Sequence, residues 1–370
     1  MSYNWELPDW PDFSYHQPVS ENLHSGFLLK SGQIFGYLKG FPKENQTELI
    51  LEVMVEEAIK TSEIEGEFIS RQDVLSSIRK NLGIHENQPV LVKDHRAKGI
   101  ARLMIAVRTS YAEPLKEIDL FAWHEMLMEG NRYVQAGKWR TDSSPMQVVS
   151  GPVGKETVHF EAPPSDLVPG EMNRFIDWFN ITTPGQKDAI NNPMTRAGIA
   201  HLYFESIHPF EDGNGRIGRA LAEKVLHQGL GEPTLISLSN TIEKNKNAYY
   251  EGLKKAQRSN EITNWLNYFA GTVIQAQQAA ERLIQFTLKK MKFFDAYRSR
   301  LNDRQIKAIN RMLEEGPDGF GGGMSAKKYM AITNASKPTA TRDLQELRDL
   351  GVFIPSGGGR SVSYGLGLDF

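Results

Sequence analysis

A Gly-Asn-Gly turn at residues 213–215 constrains the fold of this chain more strongly than any other part of its sequence. Helical structure is broken from Pro209 to this turn, and apolar residues with helical spacing resume at Ile217. Such a turn opens a helix whose first N–H groups lack partners and whose dipole favours an anion. Glycine also allows the positive φ and the close approach that an anion-binding loop requires. The sequence therefore predicts an anion site at the start of a helix over Arg216–Gln228.

Four charged or titratable residues surround the turn, namely His208, Asp212, Arg216 and Arg219. The two arginines are three residues apart on one helix, so their planar donor groups can reach the same anion. Asp212 would repel a phosphate unless a divalent cation lay between them, and Mg²⁺ suits carboxylate and phosphate oxygens. His208 is a candidate general base near neutral pH. This combination predicts phosphoryl or nucleotidyl transfer.

The segment His208–Arg219 has the sequence HPFEDGNGRIGR. It resembles, at every specified position, the Fic-family signature H-x-F-x-[D/E]-G-N-G-R-x-x-R, and the similarity in element order extends over about residues 45–290. The resemblance implies a mainly α fold, with a Fic helical core and a β-hairpin flap. It also implies a protein adenylyltransferase, which moves AMP from ATP to a hydroxyl group of a protein target.

The resemblance assigns roles to individual residues. His208 would deprotonate the target hydroxyl, Asp212 would hold Mg²⁺, and the two arginines would bind the outer phosphates of ATP. Gly215 favours AMP transfer over phosphate transfer, because the phosphorylating branch of the superfamily has Lys at this position. The predicted ATP-binding residues are Glu65, His208, Gly213, Asn214, Gly215, Arg216, Ile217, Gly218, Arg219, Tyr249 and Tyr250.

Tyr249 and Tyr250 resemble the segment that lines the family's adenine pocket, where aromatic rings can lie beside a base. The alternative is that both rings belong to the core of a helical domain. Gln257 stands where family members often have Asn, so no nucleotide contact is predicted for it.

The segment Thr61–Gly66, TSEIEG, resembles the family's inhibitory pattern [S/T]-x-x-x-E-[G/N]. A carboxylate at a helix C-terminus meets the negative end of the dipole, at a cost of about 0.3–1 kcal/mol when exposed, and an arginine partner would compensate. The family's glutamate pairs with the second arginine of the signature and blocks the productive pose of the ATP γ-phosphate, which here implies that Glu65 pairs with Arg219. The alternative is a solvated Glu65 in an acidic run with Glu63 and Glu67.

Composition narrows the function classes. The formal net charge of −2 argues against a chain-wide binder of nucleic acid or anionic membranes. The absence of cysteine excludes disulfides, thiolate zinc sites and a cysteine nucleophile. The N-terminus has no signal-peptide pattern, and no apolar run approaches 18 residues. We therefore expect a cytoplasmic protein without a membrane span.

The length of 370 residues predicts two or three domains. We predict an N-terminal helical region with the inhibitory helix over residues 1–95, a Fic catalytic core over 96–290 and a winged-helix domain over 300–370. Residues 1–42 are rich in aromatic residues, Pro and Gly, which predicts an irregular lead-in with one helix near Glu21–Leu29.

Two β-prone segments, Gln147–Val149 and Thr157–Phe160, flank a Gly- and Pro-rich turn at Ser150–Gly154 and predict a hairpin. Together with the preceding Gly137–Arg140, it resembles the family's target-binding flap. An extended loop of a target protein could pair with its edge and present a Tyr, Ser or Thr hydroxyl. The alternative is a purely structural hairpin.

The last 70 residues predict three helices, at about Asp303–Glu315, Ser325–Met330 and Lys337–Leu350, followed by a hairpin, which is the winged-helix order. A set of basic residues could face DNA phosphates: Lys337, Arg342, Arg348 and Arg360. Charge is nearly balanced over residues 301–370, with 9 Lys and Arg against 8 Asp and Glu. DNA binding and protein interaction therefore both stay open for this module.

Two other function classes stay open at this point. One is transfer of another nucleotide, such as UMP, on the same scaffold. The other is a transcriptional regulator that senses a nucleotide without transferring it. The resemblance alone suggests a homodimer.

Overall fold

The structure is a computed structural model that describes residues 2–16, 20–84, 92–150, 157–357 and 362–368. The chain divides into two compact units, Met1–Gln278 and Ala279–Phe370. The helices that begin in the first unit are α1 (Glu21–Gly40), α2 (Lys43–Ile64), α3 (Arg71–Asn81), α4 (His95–Thr109), α5 (Glu117–Met128), α6 (Val168–Ile181), α7 (Pro193–Ile207), α8 (Asn214–Leu230), α9 (Leu238–Lys244), α10 (Lys246–Ala256) and α11 (Thr263–Tyr297). The remaining elements are β1 (Gln147–Ser150), β2 (Thr157–Glu161), α12 (Asp303–Leu313), α13 (Ala326–Thr333), α14 (Lys337–Asp349), β3 (Phe353–Ser356) and β4 (Ser363–Leu366).

Helix α7 lies in the core of the first unit, and all of its residues are buried. Asn192 caps its N-terminus, because the side-chain oxygen accepts from the N–H groups of Met194 and Thr195. Helix α8 packs directly against α7, and its buried residues include Leu221. The connection between them, residues 208–213, is therefore anchored at both ends in the core.

Helix α1 is longer than predicted. The sequence pattern indicated one helix near Glu21–Leu29 in an irregular segment, whereas the helix continues to Gly40. Each glycine inside a helix costs about 1 kcal/mol relative to Ala, which weakens the local signal. The glycines of this helix are Gly26, Gly32, Gly36 and Gly40. Burial at helical spacing outweighs them, and the buried positions are Phe27, Ser31, Ile34 and Leu38.

The spacing of apolar residues predicts further helices, most of which agree with the structure to within a few residues. Their predicted bounds include Glu44–Ile64, Arg71–Asn81, Pro193–Ile207 and Ile262–Leu288. Helix α3 has the predicted bounds, and α2 ends before Gly66, whose φ of +80° suits glycine after a helix. Helix α11 ends at Tyr297 instead of the predicted Leu288. Helix α9 has only seven residues and was not predicted, because a segment this short gives little periodic signal.

The predicted hairpin is present as the antiparallel pair of β1 and β2, with a bulge between Val148 and Val149. Residues 151–154 of the predicted turn lie outside the described part of the chain. Val149 and Val158, which are paired across the two strands, are both exposed. The hairpin therefore offers apolar side chains and strand edges to solvent.

The second unit has the predicted order of three helices and a hairpin, with β3 antiparallel to β4. It has its own apolar core, in which Ile309 and Leu347 are fully buried. This order is compatible with a winged helix. Arg360, one of the basic residues predicted to face DNA phosphates, lies outside the described residues. Among the described residues of both units, no helix combines the length and the apolar character needed to cross a membrane.

Candidate active site

His208 ends α7 in a left-handed conformation, with φ +50° and ψ +61°. This region is uncommon for residues other than glycine, so neighbouring groups must hold it. Arg140 does so, because its Nε donates to the His208 carbonyl at 2.8 Å and its Nη2 to the Ile207 carbonyl at 3.3 Å. Arg140 is itself buried, and burial lowers its pKa to about 10. A residue with no predicted role in the site therefore fixes the candidate base.

The loop after His208 is closed by Asn214. Its side-chain oxygen accepts from the Phe210 N–H at 2.9 Å, and its amide nitrogen donates to the Phe210 carbonyl at 2.8 Å. Gly213 is the N-cap of α8 with φ +83°, and its N–H donates to Asp212 Oδ1 at 2.6 Å. The Asn214 side chain thus maintains the loop, while the backbone of this residue opens the helix where the dipole is positive.

The ring of His124 supports the same loop. It stacks on Phe210, with centroids 4.0 Å apart and an interplanar angle of 20°. Its Nδ1 accepts from the Gly137 N–H at 3.1 Å, so the flap lead-in is tied to the loop through this ring. Burial lowers the pKa of His124 to about 4, which keeps the ring neutral near pH 7.

Arg219 and Glu65 are brought together as predicted. Arg219 Nη2 lies 2.7 Å from Glu65 Oε1. The same guanidinium donates through Nε to Thr61 Oγ1 at 2.8 Å and through Nη2 to the Thr61 carbonyl at 2.9 Å. Burial disfavours the charge of Arg219, yet the Glu65 carboxylate outweighs this and raises the Arg219 pKa. The end of α2 therefore engages most donors of a buried arginine.

Gly215 is required by this contact. A Cβ atom placed on it would lie 2.2 Å from Glu65 Oε1 and 3.0 Å from Arg219 Nη1. Any larger residue would displace the carboxylate. Of the two other predicted positions on this turn, Ile217 is fully buried in the apolar core, and Gly218 faces Glu205 and His201.

Arg216, the first signature arginine, is 4% exposed and has two acidic neighbours. Its Nη1 lies 2.7 Å from Glu67 Oε2, and its Nη2 lies 3.5 Å from Asp212 Oδ1. These three residues line a surface cavity of about 440 Å³, together with His95, Arg96 and Asn131. Arg216 therefore faces a space where a charged group can enter.

Asp212 fits the predicted role of a magnesium ligand. Its side chain is 52% exposed at the edge of this cavity, and carboxylate oxygen is a preferred magnesium ligand. Within the described residues, no three His, Asp or Glu side chains converge on one point. A single carboxylate suits Mg²⁺ that takes its other ligands from phosphate and water.

The two tyrosines of α10 differ in environment. Tyr249 is 1% exposed, and its hydroxyl lies 2.8 Å from His201 Nε2, so it belongs to the core. Tyr250 is 38% exposed, and its hydroxyl lies 3.4 Å from the Ile64 carbonyl at the end of α2. Lys246 donates to the same carbonyl. Helix α10 thus binds the end of the predicted inhibitory helix.

Glu205 lies next to the candidate base and was not predicted. Its Oε2 is 3.6 Å from His208 Nδ1, and its side chain is 6% exposed. The only sequence signal for Glu205 is its position three residues before His208, because residues i and i+3 share a helix face.

The loop between the two core helices α7 and α8 bears a histidine, a carboxylate and two arginines, which is the arrangement expected of a site of the Fic type. The model of the Fic/DOC family matches residues 114–226, and that of a domain of unknown function (DUF4172) matches residues 3–84. Residues 114–226 therefore match the Fic/DOC family, as the signature segment indicated.

Curated relatives are similar to this chain over part of its length. A protein adenylyltransferase Fic of Nematostella vectensis is 27% identical over 187 residues, which are 50% of this chain and 38% of that protein. Protein adenylyltransferase fic-1 of Caenorhabditis briggsae is 30% identical over 138 residues, 37% of this chain and 23% of that protein. The chain thus spans less than half the length of these relatives.

Two crystal structures confirm the predicted fold class. A Fic family protein from Desulfovibrio desulfuricans G20 has a TM-score of 0.53 at 21% identity, over 96% of this chain and 98% of that one. A Fic domain containing signaling protein from Bacteroides thetaiotaomicron VPI-5482 has a TM-score of 0.53 at 20% identity, over 69% of this chain and 97% of that one. At these low sequence identities, the similarity to the two structures shows the fold alone.

Proposed function

We propose that this protein transfers AMP from ATP to a Tyr, Ser or Thr hydroxyl of target proteins, and of itself. The observation that carries the proposal is the segment His208–Arg219. It presents a base, a carboxylate, the N-terminus of α8 and two arginines around one loop held by the core. Relatives named protein adenylyltransferase support this activity over phosphate transfer.

In the proposed reaction, His208 removes the proton from the target hydroxyl. The oxygen attacks the α-phosphorus of ATP and forms a new P–O bond. The bond from that phosphorus to the β-phosphate bridging oxygen breaks, and pyrophosphate leaves. The α8 N-terminus and the arginines offset the negative charge of the phosphates. Asp212 would hold Mg²⁺, which neutralises phosphate charge when bound.

The flap is the proposed docking place for the target. Its strands β1 and β2 form a two-stranded sheet, so each has an edge that can pair with an extended segment. Main-chain pairing gives affinity with little dependence on sequence. With this mode of binding, the target hydroxyl would be selected by its position along the paired segment more than by the side chains around it.

Inhibition by Glu65 is the proposed resting state. Arg219 would bind an outer phosphate of ATP, and its Nη2 and Nε are engaged by Glu65 and Thr61. The carboxylate also lies directly above Gly215, at the start of α8. A γ-phosphate entering here would meet like charge, so wild-type activity should be low.

The test uses ATP labelled on the α-phosphate or, separately, on the γ-phosphate, with Mg²⁺ and a cell lysate as substrate. We expect protein label from the α-phosphate only, higher in Glu65→Gly than in wild type, and absent in Glu65→Gly/His208→Ala. Label from the γ-phosphate would mean phosphorylation. Equal label in wild type and Glu65→Gly would contradict inhibition.

The same assay separates the other function classes. Stronger incorporation from another labelled nucleoside triphosphate, such as UTP, would mean that the scaffold transfers that nucleotide. Nucleotide binding without any label in either variant would favour a nucleotide-sensing regulator. In that case binding of the C-terminal unit to DNA would become the first question.

A further inference from the structure

We propose that Glu205 positions His208 for catalysis, by holding the Nδ1–H of its imidazole so that Nε2 is the basic nitrogen. This inference rests on the proposed AMP transfer. In this inference Glu205 acts together with His208 in the general-base step. Glu205 lies on α7, and His208 follows the end of this helix, one helical turn further along.

The first observation is the environment of His208 Nδ1. This nitrogen is buried and has no hydrogen-bond partner, and the carboxylate of Glu205 lies 3.6 Å away. Buried polar atoms in proteins nearly always have a partner. Hydrogen bonds of catalytic groups are often long without substrate and shorten when it binds. Glu205 Oε2 is the acceptor toward which Nδ1–H can shorten.

The second observation is the space kept for the Glu205 carboxylate. Its Oε1 occupies the position beside Gly218, where a Cβ atom would lie only 2.4 Å away. This oxygen is buried and has no hydrogen-bond partner. A buried carboxylate without full pairing is costly, and an apolar residue would pack there at lower cost. Packing alone therefore does not account for a charged residue at this position.

The chemistry of a base explains the charge. An imidazole has one N–H and one lone pair when neutral, and a carboxylate that accepts the Nδ1–H leaves the lone pair on Nε2. When Nε2 takes the proton of the target hydroxyl, the ring becomes positive. The nearby carboxylate then stabilises the imidazolium. Both effects act on the chemical step and not on the affinity for ATP.

The kinetic test compares variants in the Glu65→Gly background, where activity is highest. We expect Glu205→Gln to lower kcat by about 10- to 100-fold, a part of what a general base contributes, with little change in the KM for ATP. Glu223→Gln is the matched control, since Glu223 also lies beside a buried histidine on a core helix, 3.4 Å from His227. This control should keep the parent kcat.

A spectroscopic test does not depend on activity. In protein labelled with ¹⁵N-histidine, the His208 signals are those missing from His208→Ala. We expect the Nδ1–H tautomer in the parent and loss of that preference in Glu205→Gln. An unchanged tautomer together with an unchanged kcat would overturn the role of Glu205. Absence of AMP transfer in Glu65→Gly would instead overturn the proposed function, and the tautomer would still be measurable.

Discussion

Two acidic residues on one turn each engage an arginine of the signature segment. Glu65 lies 2.7 Å from Arg219, and Glu67 lies 2.7 Å from Arg216. Glu63, on the same turn, pairs instead with Lys60 at 2.6 Å. The three carboxylates are close in sequence and differ in partner, so they can be separated by substitution.

From this arrangement we predict that Glu67→Gln strengthens ATP binding. In the Glu65→Gly background, calorimetry with a non-hydrolysable ATP analogue should give a roughly three- to tenfold lower Kd for Glu67→Gln. The reason is that Arg216 no longer has to release the Glu67 carboxylate before it binds a phosphate of ATP. Glu63→Gln in the same background should leave the Kd unchanged. Equal affinities for Glu65→Gly and Glu65→Gly/Glu67→Gln would contradict the prediction.

The sequence marks the candidate residues of the loop more clearly than those that support the loop. His208, Asp212 and the arginines form one contiguous pattern with a chemical rationale. Arg140 and Glu67 act through contacts with residues 68 and 149 positions away, so no local pattern marks them. Asn214 is predicted to bind ATP, and that stays a prediction; the bonds of its side chain to the Phe210 backbone are revealed only by the folded loop.

Two acidic residues, one on α2 and one on α8, interact through their charges. Glu57 of α2 accepts from the Ser239 N–H at 2.9 Å and from Ser237 Oγ at 2.7 Å at the start of α9. Glu223 of α8 has 14% of its side chain exposed. Burial, and then the charge of Glu57, raise the pKa of Glu223 to about 8. The folded state therefore binds a proton that the unfolded chain releases at a lower pH.

The sign of the resulting pH dependence follows from linkage. A raised carboxyl pKa gives stability that is complete below the unfolded value, near 4.5, and is lost as pH rises through about 8. We predict that the melting temperature of wild type falls relative to Glu223→Gln between pH 5 and 8. Glu44→Gln, at an exposed position of α2, should parallel wild type. A constant difference between wild type and Glu223→Gln would argue against a raised pKa.

Periodicity decided which elements could be predicted. Helices α2, α3 and α7 have apolar residues at helical spacing and clear ends, and they were predicted nearly to the residue. Helix α1 has four glycines, so its local propensity is poor and only burial in the fold reveals its length. The predicted domain boundary at residue 95 stays a prediction.

The two compact units have separate apolar cores, which bears on how the whole molecule unfolds. We predict two calorimetric transitions. Leu347→Ala, in the core of the second unit, should destabilise that unit by about 2–5 kcal/mol and leave the other transition in place. Leu221→Ala, on α8, should shift the other transition alone. A single transition shifted by both variants would show one cooperative unit.

If Glu65 inhibits by pairing with Arg219, as we propose, this pairing also limits the kind of signal to which the molecule can respond. The carboxylate belongs to the same chain as the guanidinium, so in the proposed inhibition it would compete with phosphate as a tethered ligand at an effective concentration of about millimolar or more. Dilution of the protein cannot relieve this competition. Each 1.4 kcal/mol by which a partner loosens the end of α2 changes the open fraction about tenfold. A partner that displaces the end of α2 would therefore change the rate of AMP transfer more steeply than a change in ATP concentration.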